Sequence, residues 1–133
     1  MARIIQQLRR SRKVYTISFG QFSKGDGYFP RVRGVTWAPR GSVIAIGGGC
    51  ESPALLLGHE LAHAYEDDLY PYWLRREAAK PDPDYDNLAE RWAITGPEAS
   101  AARTLGEPVR TTHHALDANA RFIEPGPTSR TCR

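Results

Sequence analysis

One stretch limits the fold more than any other. Ser52-Pro53 is followed by a largely apolar run with no further proline until Pro71. A serine before a proline is a strong helix start. The hydroxyl satisfies a free N–H, and proline tolerates the first helical position. The spacing therefore predicts a helix that opens at Pro53 and ends before Pro71. Inside it stands His59-Glu60-Leu61-Ala62-His63, with Leu55, Leu56 and Leu57 on its N-terminal flank. Residues four apart share one helical face about a turn apart, so the two imidazoles can converge on one ion. Zinc takes such nitrogens at about 2.0–2.1 Å. Glu60 lies roughly 100° round the helix from His59, where it can act on a water without ligating the ion. A buried histidine pair with no ion would need two other sets of hydrogen-bond partners. The motif thus points to Zn²⁺ as cofactor, His59 and His63 as ligands, and Glu60 as the general base of a peptide hydrolysis.

A catalytic zinc needs a third protein ligand and one open position. Glu66 shares the histidine face, but it lies about 10 Å along the axis from His59, too far on one unbroken helix. Glu90, within a second short helix expected over residues 87–94, is the first choice. Glu98 and Glu107 are its competitors. Glu66, Asp67 and Asp68 stand near a helix C-terminus, where acids oppose the dipole. Asp67, four residues after His63, is placed to accept a hydrogen bond from that ring. Tyr65 adds a hydroxyl nearby, for which packing is the ordinary use.

The remaining pattern gives an α+β chain. Its 133 residues suit a single domain with a small core. Residues 1–13 read as a basic N-terminal arm with some helical character. Tyr15, Ile17 and Phe19 alternate with polar residues as a half-buried strand, and Val35 and Trp37 mark a second. Residues 43–46 are a continuous apolar run, the expected central strand. Gly25-Asp26-Gly27 is a turn signal between strands. Beyond the long helix, residues 80–86 read as a loop. Gly96-Pro97 should break the helix that carries Glu90, and Pro97 can open a last helix closed by Gly106. From about residue 117 the chain reads as a loosely ordered tail.

Charge is unevenly placed. The formal net charge is +3, yet residues 1–50 carry nine basic and one acidic side chain, and residues 51–133 nine basic and fourteen acidic. Arg9-Arg10-Ser11-Arg12-Lys13 is a patch that a nucleic-acid-binding module would use. A solvated arm is the commoner fate of such a run, so nucleic acid is the disfavoured partner. No run approaches the roughly 18 apolar residues of a membrane span. Residues 14–19 are too short for the apolar core of a signal peptide. Cys50 and Cys132 form no CxxC pair, and two free thiols are preferred here to a single bridge.

Three spaced segments resemble a known family. They are His59-Glu60-Leu61-Ala62-His63-Ala64, Ala89-Glu90-Arg91-Trp92-Ala93-Ile94-Thr95-Gly96, and Arg103-Thr104-Leu105-Gly106-Glu107-Pro108-Val109-Arg110 followed by His113. Together, over about residues 54–114, they resemble the NleD-like effector zinc metallopeptidases. Related toxin domains occur at the C-termini of type VI secretion spike (VgrG) and Rhs proteins. The resemblance implies a compact zincin-like fold with a small N-terminal sheet, an active-site helix and C-terminal helices. It also implies zinc-dependent proteolysis of a protein or peptide substrate, and secretion into the periplasm or cytoplasm of a target cell. Carriage by a secretion-system protein and a cognate immunity protein follow from it as well. Members often carry Arg-x-x-Tyr after the Leu-Gly segment. The clostridial neurotoxin proteases use a similar pair to steady the oxyanion. Here Arg110 stands at the arginine and His113 replaces the tyrosine, which makes both candidates for catalysis. In zincins a strand edge beside the active-site helix pairs with the substrate backbone; residues 43–46 or the strand around Trp37 would supply it. The rival readings are a zinc-binding amidase or a metal-binding domain without peptidase activity.

Overall fold

Ser52 does what its position predicts. Its hydroxyl accepts from Leu55 N at 3.2 Å and opens helix α2 (Pro53–Leu69), which Pro71 stops. In the computed structural model, which describes residues 1–20, 27–39, 43–44 and 50–113, the other elements pack around this helix. The described chain is mixed α and β. Among the described residues, no helix is long and apolar enough to cross a membrane.

The N-terminal segment is not a free arm. Helix α1 (Ala2–Arg10) seats Ile4 in a buried cluster with Ala62 and Ala93. Donors in α1 and just after it converge on the acidic end of α2. Ser11 Oγ and Tyr15 Oη donate to Asp68 Oδ1 at 2.6 and 3.1 Å, and Gln7 Nε2 donates to Asp68 Oδ2 at 3.1 Å. Lys13 Nζ caps the helix by donating to the carbonyls of Asp67 and Asp68 at 2.9 and 3.1 Å. A cation on the last carbonyls complements the helix dipole. This explains how acids persist where the dipole disfavours them, and it gives part of the basic half a structural use.

Three strands form one sheet in the order β1 (Thr16–Phe19), β3 (Gly34–Trp37), β2 (Gly27–Phe29). β1 runs parallel to β3, with Ile17 opposite Val35, and β2 runs antiparallel to it, with Tyr28 also opposite Val35. Val35 is buried, and Trp37 Nε1 donates to Pro53 O at 2.7 Å, fixing the sheet to the start of α2. β1 departs from expectation. All four of its residues are exposed, Phe19 by 81%. The alternation is real, but β1 is an outer strand and nothing described covers its apolar side. The run expected as the central strand is also reassigned. Only Val43–Ile44 is described as β4, and it pairs with β5 (Cys50–Glu51), separately from the three-stranded sheet. The strand around Trp37 takes the central place instead.

Cys50 is disulfide-bonded rather than free, which corrects the preference for two thiols. The chain's other cysteine, Cys132, lies outside the described residues, as do the expected tail and most of the Gly25-Asp26-Gly27 turn.

Beyond α2, helix α3 (Pro71–Ala78) leads into a small hairpin of β6 (Pro81–Asp82) and β7 (Asp86–Asn87). The stretch read as a loop is thus a turn between two short paired strands. Asp82 Oδ1 accepts from the N–H groups of Asp84 and Tyr85 and shapes it. Asn87 then caps helix α4 (Leu88–Ala93), its side-chain oxygen accepting from Ala89 N and Glu90 N. Gly96-Pro97 does not break the helix. Ile94–Glu98 forms one wide π-turn, in which Ala99 N reaches back to Ile94 O, and the chain continues as α5 (Ala99–Leu105). A proline has no N–H to give and its ring collides with the carbonyl four residues back. The extra residue of a π-turn relieves both problems. Gly106 ends α5 at φ 68°, as its position predicts.

Candidate metal centre

His59 and His63 project from one face of α2, both buried, with their Nε2 atoms 3.2 Å apart. Glu90 reaches them from α4. Its Oε2 lies 2.9 Å from His59 Nε2 and its Oε1 lies 3.3 Å from His63 Nε2. These residues are the group among the described ones whose donor atoms are close enough to hold a metal ion. The spacing has a physical meaning. Ligand atoms at about 2.05 Å from a tetrahedral ion are separated by roughly 3.3 Å, and the three separations cluster near that value. Glu90 Oε2 is buried and faces His59 Nε2, as expected of an oxygen placed to share an ion with it. The donor set therefore fits a divalent metal, and Glu90, not Glu98 or Glu107, completes it.

Glu98 acts behind the centre. His59 Nδ1 donates to Glu98 Oε2 at 2.7 Å, which leaves Nε2, directed toward Glu90 and His63, as the nitrogen that would give up its proton to an ion. Arg110 holds Glu98 in turn, with Nε to Oε1 at 2.8 Å and Nη2 to Oε2 at 2.5 Å. Arg110 is buried and on the Nδ1 side of His59. The expectation that it faces an oxyanion is therefore corrected: it is a positioning residue, aligning the carboxylate that aligns His59. Arg110 Nε also lies 3.0 Å from Glu51 Oε2. Glu51, wholly buried, was not legible as a site residue in the sequence, where nothing but its place before Ser52 sets it apart.

The π-turn makes this arrangement possible. Residues eight apart on a regular α-helix are turned by about 80°. One residue absorbed by a wider turn reduces that to about 20°. Glu90 and Glu98 thus face the same imidazole, one at each ring nitrogen.

Two other expectations are corrected. Glu107 Oε2 accepts from Ser52 N at 2.8 Å, so it stabilises the start of α2 rather than the metal. Asp67 does not orient His63; its Oδ2 accepts from Tyr28 Oη at 2.8 Å and ties β2 to α2. The α-helix points residue 67 beyond the His63 ring, and the sheet supplies a nearer donor. Tyr65 packs against the core rather than the metal centre.

A cavity of about 360 Å³ opens over the centre, lined by His59, Glu60, His63, Glu90 and His113 on one side. Glu60 is buried in its wall. Gly27, Tyr28 and Pro30 form another side, so β2 rather than β3 is the described strand beside the site, and residues 45–46 of the other expected edge lie outside the described residues. Its outer edge carries no partner among the described strands. His113 is held from behind. Its Nδ1 contacts Asp86 Oδ2, its N–H donates to Asp84 O at 2.8 Å, and its Nε2 lies 3.6 Å from Glu90 Oε2. Asp86 adopts φ 66°, a conformation that costs a non-glycine residue energy. The hairpin holds that strain where its carboxylate meets His113.

Electrostatics separate the three acids around His59. Burial opposes ionisation of Glu90, but hydrogen bonds from His59 and His63 hold it far below the usual carboxylate range. Burial likewise raises Glu98, and Arg110 and then His59 overcome it, bringing it to about 2. Burial and the adjacent Glu98 charge push Glu51 up to about 8, so one carboxyl of that pair keeps its proton at neutral pH. Burial would lower His59, but Glu90 and Glu98 outweigh it and push it up to about 10. Metal binding at this site thus displaces a proton.

No family model matches the chain, and neither a curated protein nor a solved structure matches it. The chemistry of the residues therefore carries the functional reading.

Proposed function

We propose that this chain is a zinc-dependent metallopeptidase. The observation that carries the reading is the convergence of two imidazole nitrogens and one carboxylate beside a buried Glu60, in an open cavity flanked by a strand edge that no described strand covers. Zn²⁺ is the ion that a two-histidine, one-carboxylate donor set suits when a position is left open. Held there, it would make a water acidic and polarise a carbonyl. The chain's own groups do the rest. The β2 edge pairs with an extended peptide. Glu60 takes a proton from the attacking water as the oxygen–carbon bond forms, then delivers it to the amine nitrogen as the carbon–nitrogen bond breaks. His113, with Nδ1 engaged by Asp86, donates from Nε2 to the carbonyl oxygen as charge builds there.

The finer reading rests on the sequence resemblance. The site order along the chain, with Arg110 and His113 after the Leu105-Gly106 segment, supports a zincin-like fold of the NleD-like effector type. On that reading the domain is a secreted bacterial toxin carried by a type VI spike, VgrG or Rhs protein. It acts on a protein in the target cell, and a cognate immunity protein guards the producer.

Glu60→Gln tests the reading. Metal content should stay at the wild-type stoichiometry, while cleavage of a generic unfolded protein substrate falls by about 10²–10⁴-fold. Unchanged cleavage by the variant would overturn the catalytic assignment. A metal-loaded wild type inert on peptides would favour the non-peptidase alternatives.

A further inference from the structure

A second cavity, of about 310 Å³, lies apart from the metal cavity between α2, α3 and α4. Four aromatic rings line it, Tyr65, Tyr70, Trp73 and Trp92, together with one acid, Glu66. Its size is at the lower end of small-ligand pockets. Glu66 is only 3% exposed, and its Oε2 is buried with no hydrogen-bond partner. An unpartnered buried carboxylate oxygen is costly unless something meets it. Nothing in the peptide-hydrolysis reading uses it, and it stands three residues beyond His63 on the helix.

Aromatic faces carry negative potential and attract cations that are weakly hydrated. Rings around a carboxylate thus form a site of one electrostatic sign. Two of the rings are anchored: Tyr65 and Trp92 pack against the cluster built on Ile4, Ala62 and Ala93. The other two, Tyr70 and Trp73, are 60% and 47% exposed, which leaves the mouth open. Trp73 already attracts a cation within the molecule, with Arg76 Cζ 4.4 Å from its ring centroid. Arg76 is engaged by Glu77 Oε1 at 3.2 Å and does not line the cavity, so it is not the missing partner of Glu66.

We propose that this cavity binds an organic ammonium group, seated among the four rings with its charge met by Glu66 Oε2. The group is either the head of a lysine side chain on a polypeptide or a free alkylammonium. The site is independent of the metal centre, and its test needs no peptidase activity.

Tetramethylammonium is the probe, titrated into the full chain while the three indole N–H signals are followed by NMR. Burial raises the Glu66 carboxyl to about 7, so the titration is run at pH 8. Trp73 and Trp92 should shift and saturate. Trp37, whose indole donates to Pro53 O, serves as the internal reference and should stay still. Neopentyl alcohol, similar in shape but neutral, should bind at least tenfold more weakly. Glu66→Gln should weaken tetramethylammonium at least tenfold. Tyr70→Ala, at an exposed ring, should weaken it severalfold with an unchanged circular dichroism spectrum, which guards against misfolding of the Glu66 variant. A second arm uses Nα-acetyl-lysine methylamide against its norleucine analogue. Tighter binding of the lysine compound than of tetramethylammonium identifies a polypeptide ligand, and the reverse order a free alkylammonium. Equal binding of charged and neutral probes, or an affinity indifferent to both substitutions, overturns the proposal.

Discussion

His59 Nδ1 donates to Glu98 Oε2 across 2.7 Å, and this bond decides which nitrogen of His59 faces the metal centre. Glu98 is itself gripped by Arg110. Glu98→Gln keeps the shape but lets the amide present a donor to the ring, so the tautomer and orientation of His59 are no longer imposed. The expected result is a loss of metal affinity of about 10–100-fold with all three ligands intact. Competition against a chromophoric zinc chelator measures it; unchanged affinity would remove Glu98 from the site's architecture.

The π-turn gives a second prediction. Deleting Thr95, an exposed residue inside Ile94–Glu98, removes the extra residue that the wide turn absorbs, so a regular α-helix still leaves Glu98 about 20° from Glu90 and facing His59. Metal affinity should stay near wild type, although Pro97 in a regular helix should lower stability by about 3 kcal/mol. Deleting Thr95 in the Glu98→Gln background should leave affinity at the level of Glu98→Gln alone. A deletion that by itself lowers affinity as far as Glu98→Gln would mean that the turn does more than keep Glu98 in register.

Asp68 joins the N-terminal segment to α2. Burial pushes its carboxyl up, but hydrogen bonds from Ser11, Gln7 and Tyr15 and the Lys13 charge hold it below the usual range. A depressed folded value means stability that is complete above the unfolded value of about 3.9 and is lost as pH falls toward the folded one. Asp68→Ala should cost about 1.5–3 kcal/mol at pH 7, the worth of hydrogen bonds to a charged group. The gap from wild type should narrow in urea titrations run below about pH 4. A gap independent of pH would show that packing, not charge, makes the tie.

Glu51 behaves in the opposite sense. Burial and Glu98 raise it to about 8, so the folded state holds a proton that the unfolded chain releases near 4.5. Its contribution is fully present below the unfolded value and is lost as pH rises through the folded one. Wild-type stability should therefore decline with pH between about 5 and 8, with a slope approaching 1.4 kcal/mol per pH unit from this group. Glu51→Gln cannot ionise, so its thermal midpoint should fall less from pH 6 to pH 9. Parallel curves for the two proteins would contradict the assignment.

His113 supplies a kinetic prediction. If it meets the carbonyl oxygen only as charge develops there, His113→Phe should lower kcat by about 10²–10³-fold and leave KM and metal content near wild type. A change confined to KM would place His113 in substrate binding instead.

Much of the site was legible in the sequence because its first half is local. Ser52, Pro53 and Pro71 bound one helix, and a 3.6-residue period places His59 and His63 on one face of it with Glu60 beside them. Those facts need no other part of the chain. The choice among Glu90, Glu98 and Glu107 was of another kind. All three are glutamates on later elements, and no local pattern separates a ligand from a carboxylate that aligns a ligand or steadies a helix end. The crossing of α4 over α2 decided it, together with a π-turn that Gly96-Pro97 disguised as a break. Arg110 was misread for the same reason: whether its guanidinium lies before or behind His59 depends on the path of the chain after Gly106. Buried partners such as Glu51, the outward turn of β1 and the burial of Glu66 among aromatic rings leave no periodic trace. Short-range hydrogen bonding wrote the helix and its histidine pair into the sequence. Contacts between distant segments decided what completes the pair, because their energy comes from neighbours that no sequence window contains.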